Sequence, residues 1–218
     1  MGANIGYGVA RDPSGSTRFG GGLPEPETFN LAPRGMLGGG QVGYNWQATP
    51  NWIVSIEADL QASAQTDSTT CVSVCFGTQF TKVAQELPWF GTLRGRLGWS
   101  NGPALYYVTG GWAYGKVTTD VVVSTDSPDS RSFSHSKSGW TIGGGIETQL
   151  AGSWTAKVEY LYIDLGSVTD SFVFTPNPTF SFAESSAIRN HVARVGVNYK
   201  FDSGAAPVAG KGPVVSRY

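Results

Sequence analysis

The chain has 218 residues, a net charge of −1 and 14% charged residues, against roughly 25% in ordinary soluble domains. Its 30 glycines and 12% aromatics come without any apolar run of about 18 residues, which excludes a membrane helix. The near-neutral balance argues against a nucleic-acid surface, and the mixture suits a transmembrane β-barrel, whose apolar residues occupy alternate positions.

Gly2-Ala3-Asn4-Ile5-Gly6-Tyr7-Gly8 alternates like a strand. No export signal precedes it, and a processed start in or just before the first strand is expected. Val9 to Pro33 contains Asp12-Pro13 and Pro24-Glu25-Pro26 and reads as a long loop. The second strand runs from about Arg34 to Gln47, with Val42, Tyr44 and Trp46 on one face. Thr49-Pro50-Asn51 makes a tight turn into a third strand, where Trp52, Val54, Ile56, Ala58 and Leu60 alternate with Ser55, Glu57, Asp59 and Gln61. A polar loop to about Ala84 carries Cys71 and Cys75.

The fourth strand, Gln85 to Ser100, sets Leu87, Trp89, Leu93, Leu97 and Trp99 against Thr92, Arg94 and Arg96. Asn101-Gly102-Pro103 turns into the fifth, Ala104 to Thr118, where Tyr106, Val108, Trp112 and Tyr114 share a face. Thr119 to Ser134 becomes a polar loop. The sixth strand, His135 to Leu150, puts Trp140, Ile142, Ile146 and Leu150 opposite Lys137, Thr141, Glu147 and Gln149. Ala151-Gly152 turns into the seventh, with Trp154, Ala156, Val158, Tyr160 and Tyr162 against Thr155, Lys157 and Glu159. A loop with Thr175-Pro176-Asn177-Pro178 precedes the eighth, where Ala193, Val195, Val197, Tyr199 and Phe201 oppose Arg194, Gly196, Asn198 and Lys200.

Connections that alternate long and short predict an all-β, eight-stranded antiparallel transmembrane up-and-down β-barrel, with long extracellular loops and short periplasmic turns. The barrel takes residues 1–201, and 202–218 form a flexible periplasmic tail. Trp46, Trp52, Trp99, Trp154 and Phe201 stand beside the short turns, where aromatics favour a membrane interface. With the apolar face toward lipid, Glu57, Asp59, Arg94, Arg96, Glu147, Lys157, Glu159, Arg194 and Lys200 point inward. Eight strands leave room for little more than side chains, so these charges are expected to pair and form a polar plug. A narrow or gated conduit is the functional alternative.

Two stretches carry a family resemblance: Lys157-Val158-Glu159-Tyr160-Leu161-Tyr162-Ile163-Asp164-Leu165-Gly166 and His191-Val192-Ala193-Arg194-Val195-Gly196-Val197-Asn198-Tyr199-Lys200-Phe201. They resemble the end of the alphaproteobacterial outer-membrane immunogenic proteins, porin-like barrels of the OmpA type. Gly2-Ala3-Asn4-Ile5-Gly6-Tyr7 is similar to that family's first strand. The resemblance implies a Gram-negative outer-membrane location, surface antigenicity and a role in envelope integrity, with haem binding or weak porin activity in some relatives. It also implies that Val197, Tyr199 and Phe201 form the signal read by the barrel-assembly machinery, although Tyr218 offers a second aromatic end. It supplies no catalytic residues.

Cys71 and Cys75 suggest a disulfide formed in an oxidising envelope, whose small ring contributes only about 2 kcal/mol. No His or second Cys pair stands near them to complete a metal site. His135 and His191 read as solvated rim residues, with haem ligation as the alternative. Ser134-His135-Ser136 supplies the residue types of a hydrolase, but neighbours on a strand point to opposite faces and no third group is evident, so no enzyme activity and no cofactor are expected. A soluble lipocalin-like binder would need an apolar cavity, which the inward charges oppose. The expected partners are outer-membrane lipid, lipopolysaccharide and the assembly machinery, with the protein a monomer.

Overall fold

A strand in an open sheet leaves one row of backbone groups without partners, and closure into a ring removes that edge. The computed structural model describes residues 1–19, 25–76, 79–124, 129–173, 181–201 and 215–217. They form β1 (Gly2–Ala10), β2 (Asp12–Phe19), β3 (Glu25–Leu31), β4 (Arg34–Gln47) and β5 (Trp52–Phe76). There follow β6 (Gln79–Asn101), β7 (Ala104–Ser124), β8 (Asp129–Ala151), β9 (Trp154–Val173), β10 (Ser181–Tyr199) and β11 (Val215–Arg217). Eight of them, β1 and β4 to β10, pair in that order, and β10 returns to β1 with Gly2 opposite Asn198 and Val9 opposite His191. Every pairing is antiparallel, and no helix occurs among the described residues.

The short connections lie at one end. Gly102 and Gly152 have φ of 60° and 56°, the positive value that a two-residue hairpin requires at its first central position. At the other end the wall continues where loops were expected. The described residues of the polar stretch before Ala84, up to Phe76 and from Gln79, and those of the stretch from Thr119 to Ser134, up to Ser124 and from Asp129, are paired extensions of β5 and β6 and of β7 and β8.

Val9 to Pro33 is corrected in the same way. Within it Asp12–Phe19 and Glu25–Leu31 pair as β2 and β3, and β2 continues the wall by pairing with β10. The prolines had argued for a loop. Among the described residues β3 pairs only with β2, which makes it an edge strand, the place in a sheet where a proline such as Pro26 is tolerated. Of the tail, expected to be flexible, Val215–Arg217 lie beside Trp46, Asn45 and Tyr44 of β4 as β11; residues 202–214 and 218 lie outside the described residues.

Two bulges change the phase of the side chains. Pro88 cannot donate to a ladder, and β6 accommodates it with Leu87 and Pro88 together opposite Val117. Leu87, expected on the outer face, therefore points inward and is buried. In β9, Leu165 and Gly166 together face Ile188. Gly166 has φ of 78°, the left-handed conformation of a glycine bulge, and its N–H donates to Asp164 Oδ1 at 2.8 Å.

Candidate functional site: the closed barrel interior

Toward the short-turn end, inward-facing acids and bases converge. Glu57 and Asp59 of β5, Arg94 and Arg96 of β6, Glu147 of β8, Lys157 and Glu159 of β9 and Arg194 of β10 are each at most 5% exposed. Glu57 is the hub. It accepts from Arg94 Nη2, from Arg96 Nη1 at 3.0 Å and from Lys157 Nζ at 3.0 Å, and Arg194 Nη2 lies 3.7 Å away. Asp59 accepts from Thr92 at 2.7 Å, Arg94 at 2.9 Å and Arg194 at 3.1 Å. Glu159 accepts from Arg194 Nε at 2.6 Å, Arg94 Nη1 at 2.9 Å and the Tyr107 hydroxyl at 3.0 Å. Glu147 closes the lower side, accepting from Arg96 at 3.0 Å, Thr155 at 2.7 Å and Asn198 at 3.2 Å.

Four acids thus face four bases, so the layer is neutral. Taking unpaired charges out of water would be prohibitive, and here each is met by opposite charge and by directed hydrogen bonds. Glycine makes the space. Tyr107 crosses the lumen under Arg96, whose guanidinium carbon sits 3.8 Å from the ring centroid, and a Cβ on Gly145 would lie 2.6 Å from the Tyr107 hydroxyl.

Lys200 does not join the network. It lies beyond β10, half-buried at the rim, with its backbone N–H bonded to Ser153 O at 2.8 Å. The period-two reading had extended the inward face one step past the end of the last strand.

Above the charges the lumen changes character, which the amphipathic reading did not anticipate. Leu37, Leu87, Phe90, Ala113, Val117, Leu161, Ile163, Leu165, Val168, Ile188 and Val192 form one buried apolar cluster inside the barrel. The signal was present in β9, where Lys157, Glu159, Leu161, Ile163 and Leu165 share one phase, so the inward face passes from charged to apolar along a single strand. Within this layer Gln65, opposite Leu87, and Asn190, opposite Ile163, exchange two hydrogen bonds of 3.0 and 2.9 Å, and at its outer margin Gln85 donates to Ser186 at 3.2 Å.

The outer face is apolar, with two aromatic girdles. Trp46, Trp52, Trp99, Trp154 and Phe201 are exposed beside the short turns, together with Tyr106, Val197 and Tyr199. Trp52 stands opposite Trp99, and Trp154 meets Tyr199 edge-on at 5.2 Å. The second aromatic belt, unassigned from sequence, is deeper: exposed Tyr7, Trp112, Trp140 and Tyr160 form its inner edge, and Trp89 and Tyr114, in edge contact at 6.0 Å, and Tyr162, 5.4 Å from Trp140, continue it toward the long-hairpin end.

The remaining candidates stay apart. His191 is half-buried on the outer face, its Nδ1 2.6 Å from the Tyr160 hydroxyl. His135 lies in β8 opposite Val117, and β9 runs between it and β10. Ser134 Oγ is 3.1 Å from Thr118 Oγ1 and exposed, with His135 turned to the other face. Among the described residues no group of three His, Cys, Asp or Glu is placed to hold a metal. Cys71 and Cys75 stand near the outer end of β5 around a register shift; their side chains lie outside the described residues.

Comparison with known proteins agrees with the geometry. The model of the outer membrane protein β-barrel domain family matches residues 1–201. The 31 kDa outer-membrane immunogenic protein of Brucella melitensis is 39% identical over 176 residues, covering 80% of this chain and 70% of that protein. A 22 kDa outer membrane protein of Rhizobium leguminosarum is 36% identical over 131 residues, 59% of this chain and 53% of that one. Among solved structures, the Escherichia coli outer membrane protease OmpT superposes with a TM-score of 0.52 at 10% identity, covering 92% of this chain and 96% of that one. At that identity the likeness concerns the fold alone.

Proposed function

Because the chain belongs to the outer membrane protein β-barrel domain family, we propose that it is a closed structural barrel that contributes to envelope integrity and presents its long hairpins at the cell surface. Its location is the Gram-negative outer membrane. The structural reading is carried by the double closure of the lumen. A neutral layer in which every charge has an opposite partner within 4 Å is followed by a mainly apolar core. An ion crossing it would first displace paired charges and then shed its water among Phe90, Leu161 and Val192, where the polar groups at hand are the amides of Gln61, Gln65 and Asn190, the last two engaged with each other.

In this reading the apolar outer wall meets lipid. Ten residues separate Trp89 from Trp99 along β6, about 33 Å of strand, which a tilt of about 40° reduces to roughly 25 Å of height. That is the thickness expected of the apolar band, with aromatics at both margins. The short turns then face the periplasm and the hairpins the outside, and Val197, Tyr199 and Phe201 serve the assembly machinery. The protein acts as a monomer and not as an enzyme.

Single-channel recording after refolding into planar bilayers tests this, with insertion verified by heat-modifiable gel mobility. Inserted protein without steady conductance is the expected result. Reproducible channels altered by Arg94→Gln or Glu159→Gln would replace the structural reading with a small porin.

A further inference from the structure

At the long-hairpin end of the outer wall, three arginines meet across three adjacent strands. Ala10 stands opposite Asn190, and the Arg11 N–H donates to Arg189 O at 2.8 Å, so Arg11 and Arg189 stand directly across from each other. Arg34 pairs with Val9 on the other side of β1, one diagonal step from Arg11. Ala10 and Asn190 are buried in the lumen, whereas Arg11, Arg34 and Arg189 are exposed on the outer face. Asp164, 3.6 Å from Arg189, offsets part of this charge.

Like charges directly opposite one another in a sheet are destabilising, and these crown a wall of the opposite character. Ile5, Tyr7 and Val9 of β1 and Met36 of β4 run down from them, all exposed. Tyr7 belongs to the aromatic girdle, so the arginines stand just past the apolar band, at the depth of lipid head groups. Guanidinium forks match phosphate oxygens two at a time. A ligand that satisfies the whole surface has a phosphorylated head and several acyl chains.

We propose that this face is a binding site for a phosphate-bearing membrane glycolipid of the lipid A class, its phosphate held by Arg11, Arg34 and Arg189 and its acyl chains laid along Tyr7, Val9 and Met36. The proposal rests on the reading that the outer wall faces lipid. It adds a fixed lipid partner on one side of the barrel, anchoring the protein to the leaflet whose integrity it supports.

Native mass spectrometry of the full chain, refolded without lipid in detergent, provides the test, with bisphosphorylated lipid A, its dephosphorylated form and phosphatidylcholine as probes. One retained lipid A is expected, with binding of the dephosphorylated form weaker by about tenfold or more. Combined Arg11→Gln, Arg34→Gln and Arg189→Gln is expected to abolish the preference, while Lys116→Gln, an outward cation on β7, leaves it intact. If the triple variant does not refold, Arg11→Gln and Arg34→Gln singly are each expected to weaken retention several-fold. Equal retention of the dephosphorylated lipid, or an equal loss in Lys116→Gln, would overturn the proposal. Displacement by millimolar inorganic phosphate would also do so, by marking an ordinary anion site. Failure to gain heat-modifiable mobility in vesicles would instead refute the lipid-facing wall, which separates the two readings.

Discussion

Replacing Glu57 by glutamine removes one negative charge from the point where four cations converge. Arg94, Arg96 and Lys157 donate to its carboxylate and Arg194 lies 3.7 Å away. The amide keeps the volume but leaves three acids against four bases, and half of its head becomes a donor facing other donors. Removing one partner of a buried charge pair costs about 3–5 kcal/mol, and Glu57→Gln is expected in that range. Lys157→Met creates the opposite imbalance, leaving Glu57 without the bonds of 3.0 and 3.2 Å that Lys157 Nζ supplies, at a similar cost. The double variant restores three against three. It is expected to lose less than the sum of the singles by roughly 1–3 kcal/mol, as coupled neighbours do. Urea unfolding in phosphatidylcholine vesicles, followed by tryptophan fluorescence and heat-modifiable mobility, measures all three. A loss below about 1 kcal/mol for Glu57→Gln, the size of a solvated surface pair, would refute the reasoning, because it would mean that water screens these charges and the lumen is open.

Phe90→Ala, in the centre of the apolar layer, is expected to cost about 3–5 kcal/mol in the same unfolding assay while leaving bilayer conductance at baseline. Gly145→Val would drive its side chain into the Tyr107 hydroxyl and the Val158 carbonyl, so refolding is expected to fail by gel mobility. Gly95→Ala, whose Cβ meets only Gly110 O at 3.9 Å, refolds normally. Cys71 and Cys75 are expected to resist a thiol reagent in oxidised protein and to take up two labels after reduction; labelling before reduction would exclude the disulfide.

Much of the architecture was legible because alternation is a local property. In β5, Trp52, Val54 and Ile56 against Ser55, Glu57 and Asp59 predict a two-faced strand without knowledge of any neighbour. Asn101-Gly102-Pro103 and Ala151-Gly152 likewise announce their turns through the conformation that glycine permits. What alternation cannot count is an extra residue. The bulges at Pro88 and Gly166 invert the phase of the strand on their far side, and Leu87 turned inward for that reason. The prolines of the segment after β1 hid a hairpin because their tolerance depends on whether a strand has one partner or two, which only the assembled sheet decides.

The two faces divide in the same way. Residue types in sequence determined that β9 carries charge at Lys157 and Glu159 and apolar groups at Leu161 and Ile163, all in one phase. Whether that change becomes a sealed lumen depends on what the other strands bring to the same height. Ring closure sets those heights through the stagger of β1 against β10 and of each hairpin against the next. It places Arg94, Arg96 and Arg194 around Glu57 and stacks Phe90 against residues more than 70 positions away in the chain. The identity of each strand is therefore written locally, whereas the partners across the lumen exist only once the last strand has met the first.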